Sequence, residues 1–416
     1  MNISNFIKIA LFTITVWLLC TNYTTAQPCT ETADLVKMPG KFFDHNWTAT
    51  GGHVSSYTSA ERNIAVKTMD GLEAIFKKKY FGDGSNGKGS FGYGSGDYFG
   101  PQFFGTYEYN IGFYQFFCDN GKTATQHEFG TSIDIAANKL IYPALHVPNE
   151  LSFAEAKFYS GGNRKDRNRL IPLFTYITFQ SPDEEEKIMN GSGYSESKEM
   201  YSDAYDQTPS IYRTWYITPP NKKILIPVIR KEYLESLLQY YEIEKEVLQR
   251  ERLRIIKTDK ETLKTYEKEK NGKHKKDYDY FLTSITENEI RLAHIIKGYE
   301  TKKATVAGLL QSKPQSWLSA PAVINPALSL NNYCATLNEY NKSGYFTFSD
   351  FFNEESGRIV YKWNPDLFKQ LSLCAPVFFR VQVRYKKNVE FSMAIRDFYT
   401  ENLDFEAMRK LLVNHQ

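Results

Sequence analysis

The spacing of apolar residues predicts a helix near the start of the chain, between Thr58 and Gly82. Four apolar side chains recur there at intervals of three or four residues: Ala65, Met69, Leu72 and Phe76. This spacing places them on one face of a helix. Thr58 and Glu61 have the sequence pattern of a capping box at its start, and Gly82 is typical of a helix end.

A longer helical pattern covers residues 231–303. Its two apolar stripes are Leu234, Leu237, Leu238, Tyr241, Leu248, Ile255 and Ile256, and Tyr278, Phe281, Leu282, Ile285, Leu292, Ile295 and Ile296. Between the stripes, the polar residues from Asn271 to His274 are expected to end the first helix and reverse the chain. The segment holds 17 basic and 15 acidic residues among its 73. We therefore predict an antiparallel helical hairpin, a short coiled coil, whose charged faces point to water.

Residues 81–118 combine glycine with aromatic rings. Ten glycines lie from Gly82 to Gly112, and this density predicts a long loop rather than regular structure. The end of the segment, residues 106–118, is rich in aromatic side chains and predicts a strand. Asp119-Asn120-Gly121 then predicts a tight turn into a return strand.

Apolar runs and alternating patterns predict further strands. These strands cover residues 170–179, 211–218, 223–229, 358–363 and 377–385. The second and third are expected to pair as a β-hairpin around Pro219-Pro220-Asn221. Asn402 or Asp404 is expected to cap a final helix that reaches Leu412.

The order of these elements predicts an α+β fold. Because strands precede and follow the helical segment, we expect a sheet-containing body with a long antiparallel helical hairpin inserted into it. The predicted divisions are a signal peptide at 1–26, a β-rich aromatic and glycine-rich region with one N-terminal helix at 27–229, the hairpin at 230–312, and a mixed α/β part at 313–416 that packs with the β-rich region.

Residues 1–26 are typical of a secretory signal peptide. Lys8 precedes an apolar run from Ile9 to Cys20, and small residues precede Gln27. After its removal, no apolar run reaches the length of a membrane helix. We therefore expect an exported protein that is periplasmic, associated with the outer membrane, or secreted.

Four cysteines follow the predicted signal peptide. They are Cys29, Cys118, Cys334 and Cys374. An even number of cysteines in an oxidising compartment predicts disulfide bonds, with three connectivities open. Four buried thiols are the alternative, because a chain of this length folds without covalent bridges.

Composition and motifs exclude several functional classes. The 51 basic residues nearly balance the 48 acidic ones, so no basic surface is expected for nucleic acid. A phosphate-loop pattern at 82–88 ends with Gly89 in place of Ser or Thr, and a zinc-protease pattern that starts at His127 has Thr131 in place of its second histidine. We expect no metal, no cofactor and no nucleic-acid partner.

Carboxylates and aromatic rings supply the remaining candidates for function. Glu108, Glu128 and Asp134 lie in the predicted β region, where two of them could act as the acid pair of a glycan hydrolase. The alternative is that they are ordinary surface acids.

The aromatic candidates for binding are Tyr93, Tyr98, Phe99 and Tyr107. Their rings offer apolar faces that can stack on sugars or hold a protein partner. The alternative is that these rings fill the core of a sheet. The hairpin likewise has two interpretations: it packs only on itself and the body, or it projects as an arm that engages another subunit.

Residues 227–241, together with 364–368 and 375–378, resemble segments of exported, functionally uncharacterised proteins of Bacteroidota-type Gram-negative bacteria. The resemblance implies a cell-envelope setting and supplies no catalytic residue. We expect an exported cell-envelope binding or scaffold protein without a catalytic motif, with an envelope protein or a glycan as its partner. The alternative is a secreted glycan-directed hydrolase that uses paired carboxylates.

Overall fold

The computed structural model describes residues 29–45, 51–52, 57–94, 97–99, 102–140, 144–145, 172–179, 185–188, 193–198, 209–324, 348, 350–368 and 371–412. The predicted signal peptide and Cys334 lie outside these residues.

Seventeen strands are formed by the described residues. They are β1 (Phe42–Phe43), β2 (Gly51–Gly52), β3 (Ser85–Tyr93), β4 (Asp97–Phe99), β5 (Gln102–Phe104), β6 (Tyr107–Asp119), β7 (Lys122–Thr125), β8 (Thr131–Ala137), β9 (Ala144–Leu145), β10 (Ile177–Thr178), β11 (Ser195–Lys198), β12 (Ser210–Ile217), β13 (Leu225–Pro227), β14 (Val323–Ile324), β15 (Arg358–Ile359), β16 (Tyr361–Trp363) and β17 (Phe379–Lys386).

The α-helices that accompany them vary from one turn to more than ten. They are α1 (Ser59–Lys78), α2 (Arg230–Tyr266), α3 (Lys275–Ser312), α4 (Gln315–Leu318), α5 (Pro365–Phe368), α6 (Glu390–Asn402) and α7 (Phe405–Arg409). Short 3₁₀ helices lie at Thr32–Leu35, Pro172–Thr175 and Glu267–Glu269.

A nine-stranded sheet organises the body. Its main path runs β1-β3-β6-β8-β17-β12-β11, with β2 paired to β3 and β7 paired to β6. Strands β1 and β2 are parallel to β3, and the other pairs are antiparallel. Strand β17, from near the C-terminus, lies between β8 and β12. The helical hairpin therefore lies between β12 and β17 in the chain, but these two strands still pair in one sheet. This arrangement agrees with the predicted α+β fold, in which the hairpin is inserted into a sheet-containing body.

One face of this sheet packs on helices. Alternate residues of β6, β8 and β17, such as Tyr109, Ile133 and Val381, form one hydrophobic core with α1 and α6. The predicted helix is confirmed: Ala65, Met69, Leu72 and Phe76 are all buried in this core, and Thr58 with Glu61 forms the capping box. Asp404 caps α7 by accepting a hydrogen bond from the backbone N–H of Ala407.

The prediction of a long loop after Gly82 is wrong for residues 85–93, which form strand β3. All nine of its residues pair with β6. Its buried glycines face large groups: a Cβ on Gly87 would lie 2.7 Å from the Tyr80 ring, and one on Gly89 would lie 2.9 Å from the Tyr109 hydroxyl. The glycines are therefore required for close packing against rings, a role that glycine density alone does not reveal.

The strand that follows is as predicted. Strand β6 includes nearly all of residues 106–118, and it pairs with β7 through a tight turn. Asn120 and Gly121 in that turn have φ values of 51° and 75°, the left-handed backbone that such two-residue hairpins need.

The predicted hairpin around Pro219 is wrong. The turn forms, since Lys222 donates to the carbonyl of Pro219 at 3.2 Å. However, β12 belongs to the large sheet, whereas β13 pairs with β16 in a separate sheet of order β13-β16-β10-β9. The proline-containing turn moves the chain from one sheet to the other. In the described part of the strand predicted at 170–179, residues 172–175 instead form a 3₁₀ helix, and only Ile177–Thr178 pair.

The helical hairpin is confirmed. Helices α2 and α3 span 37 and 38 residues, about 55 Å each, and hydrogen bonds join them in antiparallel order, from Tyr299 with Glu242 near the body to Ser284 with Asp259 further out. Its first turns pack in a second core with Val228, Leu318 and Ile324. Not every charge faces water: the Lys302 ammonium and the Glu244 carboxylate are 2.8 Å apart and almost fully buried.

A disulfide bond joins Cys29 to Cys118, across 89 residues of sequence. It attaches the described N-terminal segment to the end of β6, where the Cys29 N–H also donates to the Gly121 carbonyl at 3.3 Å. Cys374, another disulfide candidate, instead carries a thiol buried in the core. A Cβ on Gly105 would lie 2.7 Å from its sulfur, so close packing encloses this side chain.

Candidate functional site

Two of the four predicted aromatic contact residues lie in the core of the body. Tyr93 and Tyr107 are only 6% and 2% exposed. The Tyr107 hydroxyl donates to the backbone carbonyl of Cys374 at 3.0 Å. Tyr98 and Phe99 lie on β4, which pairs with β5, and their side chains lie outside the described residues. Tyr93 and Tyr107 therefore fill the core of the sheet, which was the alternative interpretation of these rings from the sequence.

The face of the large sheet opposite the helical core carries polar side chains. Asn110, Asp134, Gln382 and Thr214 lie directly across from one another on β6, β8, β17 and β12. Neighbouring residues of one sheet face in adjacent strands lie close enough for their side chains to interact. The structure thus assembles a row of hydrogen-bonding groups from four strands that are distant in sequence.

Asp134 is the acid in this row. Its carboxylate accepts hydrogen bonds from Asn110 and, at 3.0 Å, from the Ser132 hydroxyl. Burial nevertheless raises the pKa of Asp134, and the nearby Glu108 charge raises it further, against the opposing effect of the hydrogen bonds and of Arg380. A carboxyl group whose pKa is raised by burial has the property required of a general acid.

Glu108 lies diagonally across from Asp134, because it pairs with Ala136 two residues along β8. It is half exposed and accepts a hydrogen bond from the Lys139 ammonium at 3.4 Å. Two of the three predicted acids are therefore brought together on one sheet face. Glu128 and His127 are exposed beyond the end of β7 and do not belong to this row.

A second charged cluster was not predicted. The His45 ring contacts the buried Glu73 carboxylate through Nδ1, and its Nε2 lies 3.8 Å from an Asp70 oxygen. Lys77 lies 2.6 Å from Asp44 and 3.5 Å from Glu73. Burial, together with the Glu73 charge, raises the pKa of Tyr109 beside them. This cluster attaches the segment after β1 to α1 through opposite charges.

The sequence indicates the helical part of this cluster. Asp70, Glu73 and Lys77 are spaced at three and four residues, which places them along one side of α1. Nothing in the spacing indicates His45, since it reaches the helix only because β1 pairs with β3.

The outer part of the helical hairpin exposes apolar side chains. Beyond Leu248, Ile256 is the only buried residue described in α2. Five of the eight exposed large apolar residues among those described lie on the hairpin: Leu253, Tyr280, Leu282, Ile290 and Ile296. We call the part from 249 to 297 the arm, since its two helices pack chiefly on each other.

Three of these residues lie on one side of the arm. Leu282, Glu289 and Ile296 are spaced by seven residues along α3, and Leu253 and Lys260 are spaced by seven along α2. Seven residues are close to two helical turns, so each set shares a side of its helix. The Lys260 ammonium lies 2.8 Å from the Glu289 carboxylate and joins the two sets. We call this side, with Leu253, Leu282 and Ile296, the apolar side of the arm.

Within the described ranges, no group of three or more His, Cys, Asp or Glu side chains is arranged to hold a metal ion. No helix in the described part of the chain has both the length and the apolar character that a membrane span requires.

Comparison with known proteins adds no assignment. No protein-family model, no curated protein and no solved structure matches the chain.

Proposed function

We propose that the protein is a binding or scaffold protein of the bacterial cell envelope, and that the arm is its contact surface. The observation that carries the proposal is the exposure of Leu253, Leu282 and Ile296, at 54%, 46% and 44%, on one side of a projecting helix pair. Apolar side chains exposed together on one helical surface are typical of a site that packs against another protein. The leader pattern at 1–26 supports the envelope setting.

The partner we propose for the apolar side is a second copy of the chain. Two hairpins that meet through this side would form a four-helix bundle, the usual way in which paired amphipathic helices bury a second apolar stripe. The charges of the hairpin favour self-association, because the 17 basic and 15 acidic residues of 231–303 nearly cancel and two copies meet without strong repulsion.

The test is the oligomeric state of the mature protein, measured by light scattering after size exclusion over a range of concentrations. A variant with both Leu253→Glu and Ile296→Glu should abolish self-association. The matched control is Tyr280→Glu, which alters a residue that is 67% exposed but lies on another side of α3, and it should leave self-association intact.

Affinity purification from the native envelope completes the test. Capture of a different envelope protein that depends on Leu253 and Ile296 would support a binding function and exclude self-assembly as the main role. A monomer that captures no partner through these residues would contradict the proposal.

A second function, glycan hydrolysis, is favoured by one specific observation. Asp134, whose pKa is raised by burial, lies diagonal to the ionisable Glu108 on the same sheet face. A carboxyl whose pKa is raised by burial, beside a second carboxyl, is typical of the general acid in a glycosidase. Release of reducing ends from envelope polysaccharides that is lost in both Glu108→Gln and Asp134→Asn would support this function. Activity retained in both variants would exclude this pair.

A further inference from the structure

The polar sheet face contains a buried arginine that forms no close ion pair with another described residue. Arg380 lies on β17 and is only 7% exposed. Its Nε is buried without a hydrogen-bond partner, and none of the ion pairs between described residues includes it. A buried charge is costly unless it is paired and hydrogen-bonded. Arg380 therefore requires an explanation beyond packing.

The nearby acid does not supply the missing partner. Asp134 is diagonal to Arg380, since it pairs with Gln382 two residues along β17, and the two charges interact at a distance. Its carboxylate is instead engaged by Asn110 and Ser132. The guanidinium fork of Arg380 thus retains its capacity to donate parallel hydrogen bonds, the geometry that a carboxylate accepts.

Neighbouring side chains supply groups suited to hydroxyls. The amide oxygen of Asn110 is a second buried atom without a hydrogen-bond partner in the described part of the chain. Gln382, beside Asp134, donates from its amide nitrogen to the Thr214 hydroxyl at 3.3 Å and offers its amide oxygen as an acceptor. Tyr216 lies directly across from Arg380 on β12 and belongs to an apolar cluster with Phe378 and Trp363. The guanidinium therefore lies at the boundary between an apolar cluster and a row of hydrogen-bonding groups.

We propose that this face binds an acidic sugar, with the sugar carboxylate held by Arg380 and its hydroxyls by Asn110 and Gln382. The sugar carboxylate supplies a negative charge in direct contact with the Arg380 guanidinium, and a sugar hydroxyl donates a hydrogen bond to the amide oxygen of Asn110. This site is separate from the arm. It concerns binding alone, and it does not depend on whether Glu108 and Asp134 act on the ligand.

The test uses a panel of acidic monosaccharides, namely glucuronate, galacturonate, N-acetylmuramate and N-acetylneuraminate, each compared with its methyl ester. Binding is detected by saturation-transfer NMR, and affinity is measured by calorimetry. At least one acid should bind, and its ester should bind about 10- to 100-fold more weakly, because the ester removes a charge-assisted hydrogen bond. Failure of every acid to bind, or equal binding of acid and ester, would overturn the proposal.

Arg380→Met should lose the same factor in affinity for the acid. The control is Arg384→Met, four residues along the same strand, whose guanidinium already donates to the Ser210 hydroxyl at 3.1 Å; it should bind as the wild type does. Equal loss in both variants would indicate a general disturbance of the sheet and would contradict a specific role for Arg380.

The melting temperature of the Arg380→Met variant distinguishes a binding role of Arg380 from a structural one. Because Arg380→Met removes an unpaired buried charge, its melting temperature should equal or exceed that of the wild type while binding is lost. If the methionine variant does not fold, Arg380→Lys serves in its place. It keeps the charge but not the planar fork, so it should bind the acid more weakly than the wild type, and unchanged affinity would overturn the proposal.

Discussion

The sheet body and the helical arm are stabilised by different kinds of contact. In the body, rings and glycines from distant segments fit together, as where Gly89 on β3 leaves room for Tyr109 on β6. In the arm, two helices adjacent in sequence pack through short-range pairs such as Lys260 with Glu289. A change in the body therefore disturbs several segments at once, whereas a change in the outer arm affects only its neighbours.

Where the hairpin joins the body, Lys302 and Glu244 form a buried ion pair between the two helices. Breaking this pair should have the largest effect on stability. Lys302→Ala would leave the Glu244 carboxylate buried without its ion-pair partner, which lies at 2.8 Å. We expect a loss of about 3–5 kcal/mol in the free energy of unfolding, measured by urea denaturation.

A double variant tests the cause of that loss. Lys302→Met combined with Glu244→Leu removes both charges and should recover most of the stability. If the double variant is as unstable as the single one, the loss comes from packing and not from the unpaired carboxylate.

The next effect concerns the edge of the body. Replacing Cys29 and Cys118 by serine opens a covalent link across 89 residues, and we expect a loss of about 2–4 kcal/mol. A reductant should produce the same shift in the midpoint of denaturation of the wild type and none in the double-serine variant. A reductant effect that persists without these two cysteines would assign the stabilisation to another bond.

A pair of glycines compares the sheet body with the helical hairpin directly. Gly89→Ala in β3 places a Cβ 2.9 Å from the Tyr109 hydroxyl and 3.0 Å from a Glu73 oxygen, and we expect a loss of about 1–3 kcal/mol. Gly308→Ala in α3 meets no atom within 4 Å and should gain up to about 1 kcal/mol, because alanine favours a helix. Equal losses at both positions would show that the body does not depend on close glycine packing in the way we describe.

The smallest effects are opposite responses to pH. In the body, burial raises the pKa of Asp134 above its ordinary value of 3.8. The protonated Asp134 side chain therefore contributes fully to stability below pH 3.8, and this contribution is lost as the pH rises through the raised pKa. Where the helical hairpin joins the body, hydrogen bonds from Tyr299, Lys303 and Lys245 lower the pKa of Glu242 from 4.5 to about 2. Its contribution is present above pH 4.5 and is lost as the pH falls toward 2.

Two amide variants separate these responses. The Asp134→Asn variant should no longer lose stability as the pH rises through the raised pKa of Asp134. The Glu242→Gln variant should no longer lose stability as the pH falls below 4.5. The Glu242 effect should stay below about 1 kcal/mol, since its side chain is 47% exposed and water screens the charges. Denaturation curves from pH 2 to pH 8 measure both, and the same sign for the two variants would contradict the assignment.

Local patterns predicted the elements that depend on neighbouring residues. The capping box at Thr58, the turn at Asn120-Gly121 and the two long helices of the hairpin all form as predicted. Each is specified by residues a few positions apart, so periodicity and turn chemistry suffice to identify it. The fold class followed from the order of such elements along the chain.

The candidate sites were less accessible from the sequence. Glu108 and Asp134 were identified as acids of interest, but their diagonal position depends on the pairing of β6 with β8. Arg380 lies in the strand predicted at 377–385, but nothing in the sequence pattern distinguished it from the other polar positions there. Its burial without a partner depends on Tyr216 and the apolar cluster beside it. Burial and pairing arise between distant segments, and spacing along one segment does not encode them.

The sequence by itself determined the first helix, the two helices of the hairpin and the tight turn at Asn120-Gly121, because these elements depend on side chains within a few residues of one another. Only the tertiary structure decided that the glycine-rich segment becomes a strand, that β12 and β13 enter different sheets, and that Lys302 and Arg380 are buried. These outcomes depend on contacts between residues far apart in the chain, where the available space and the local exclusion of water are set by the whole fold.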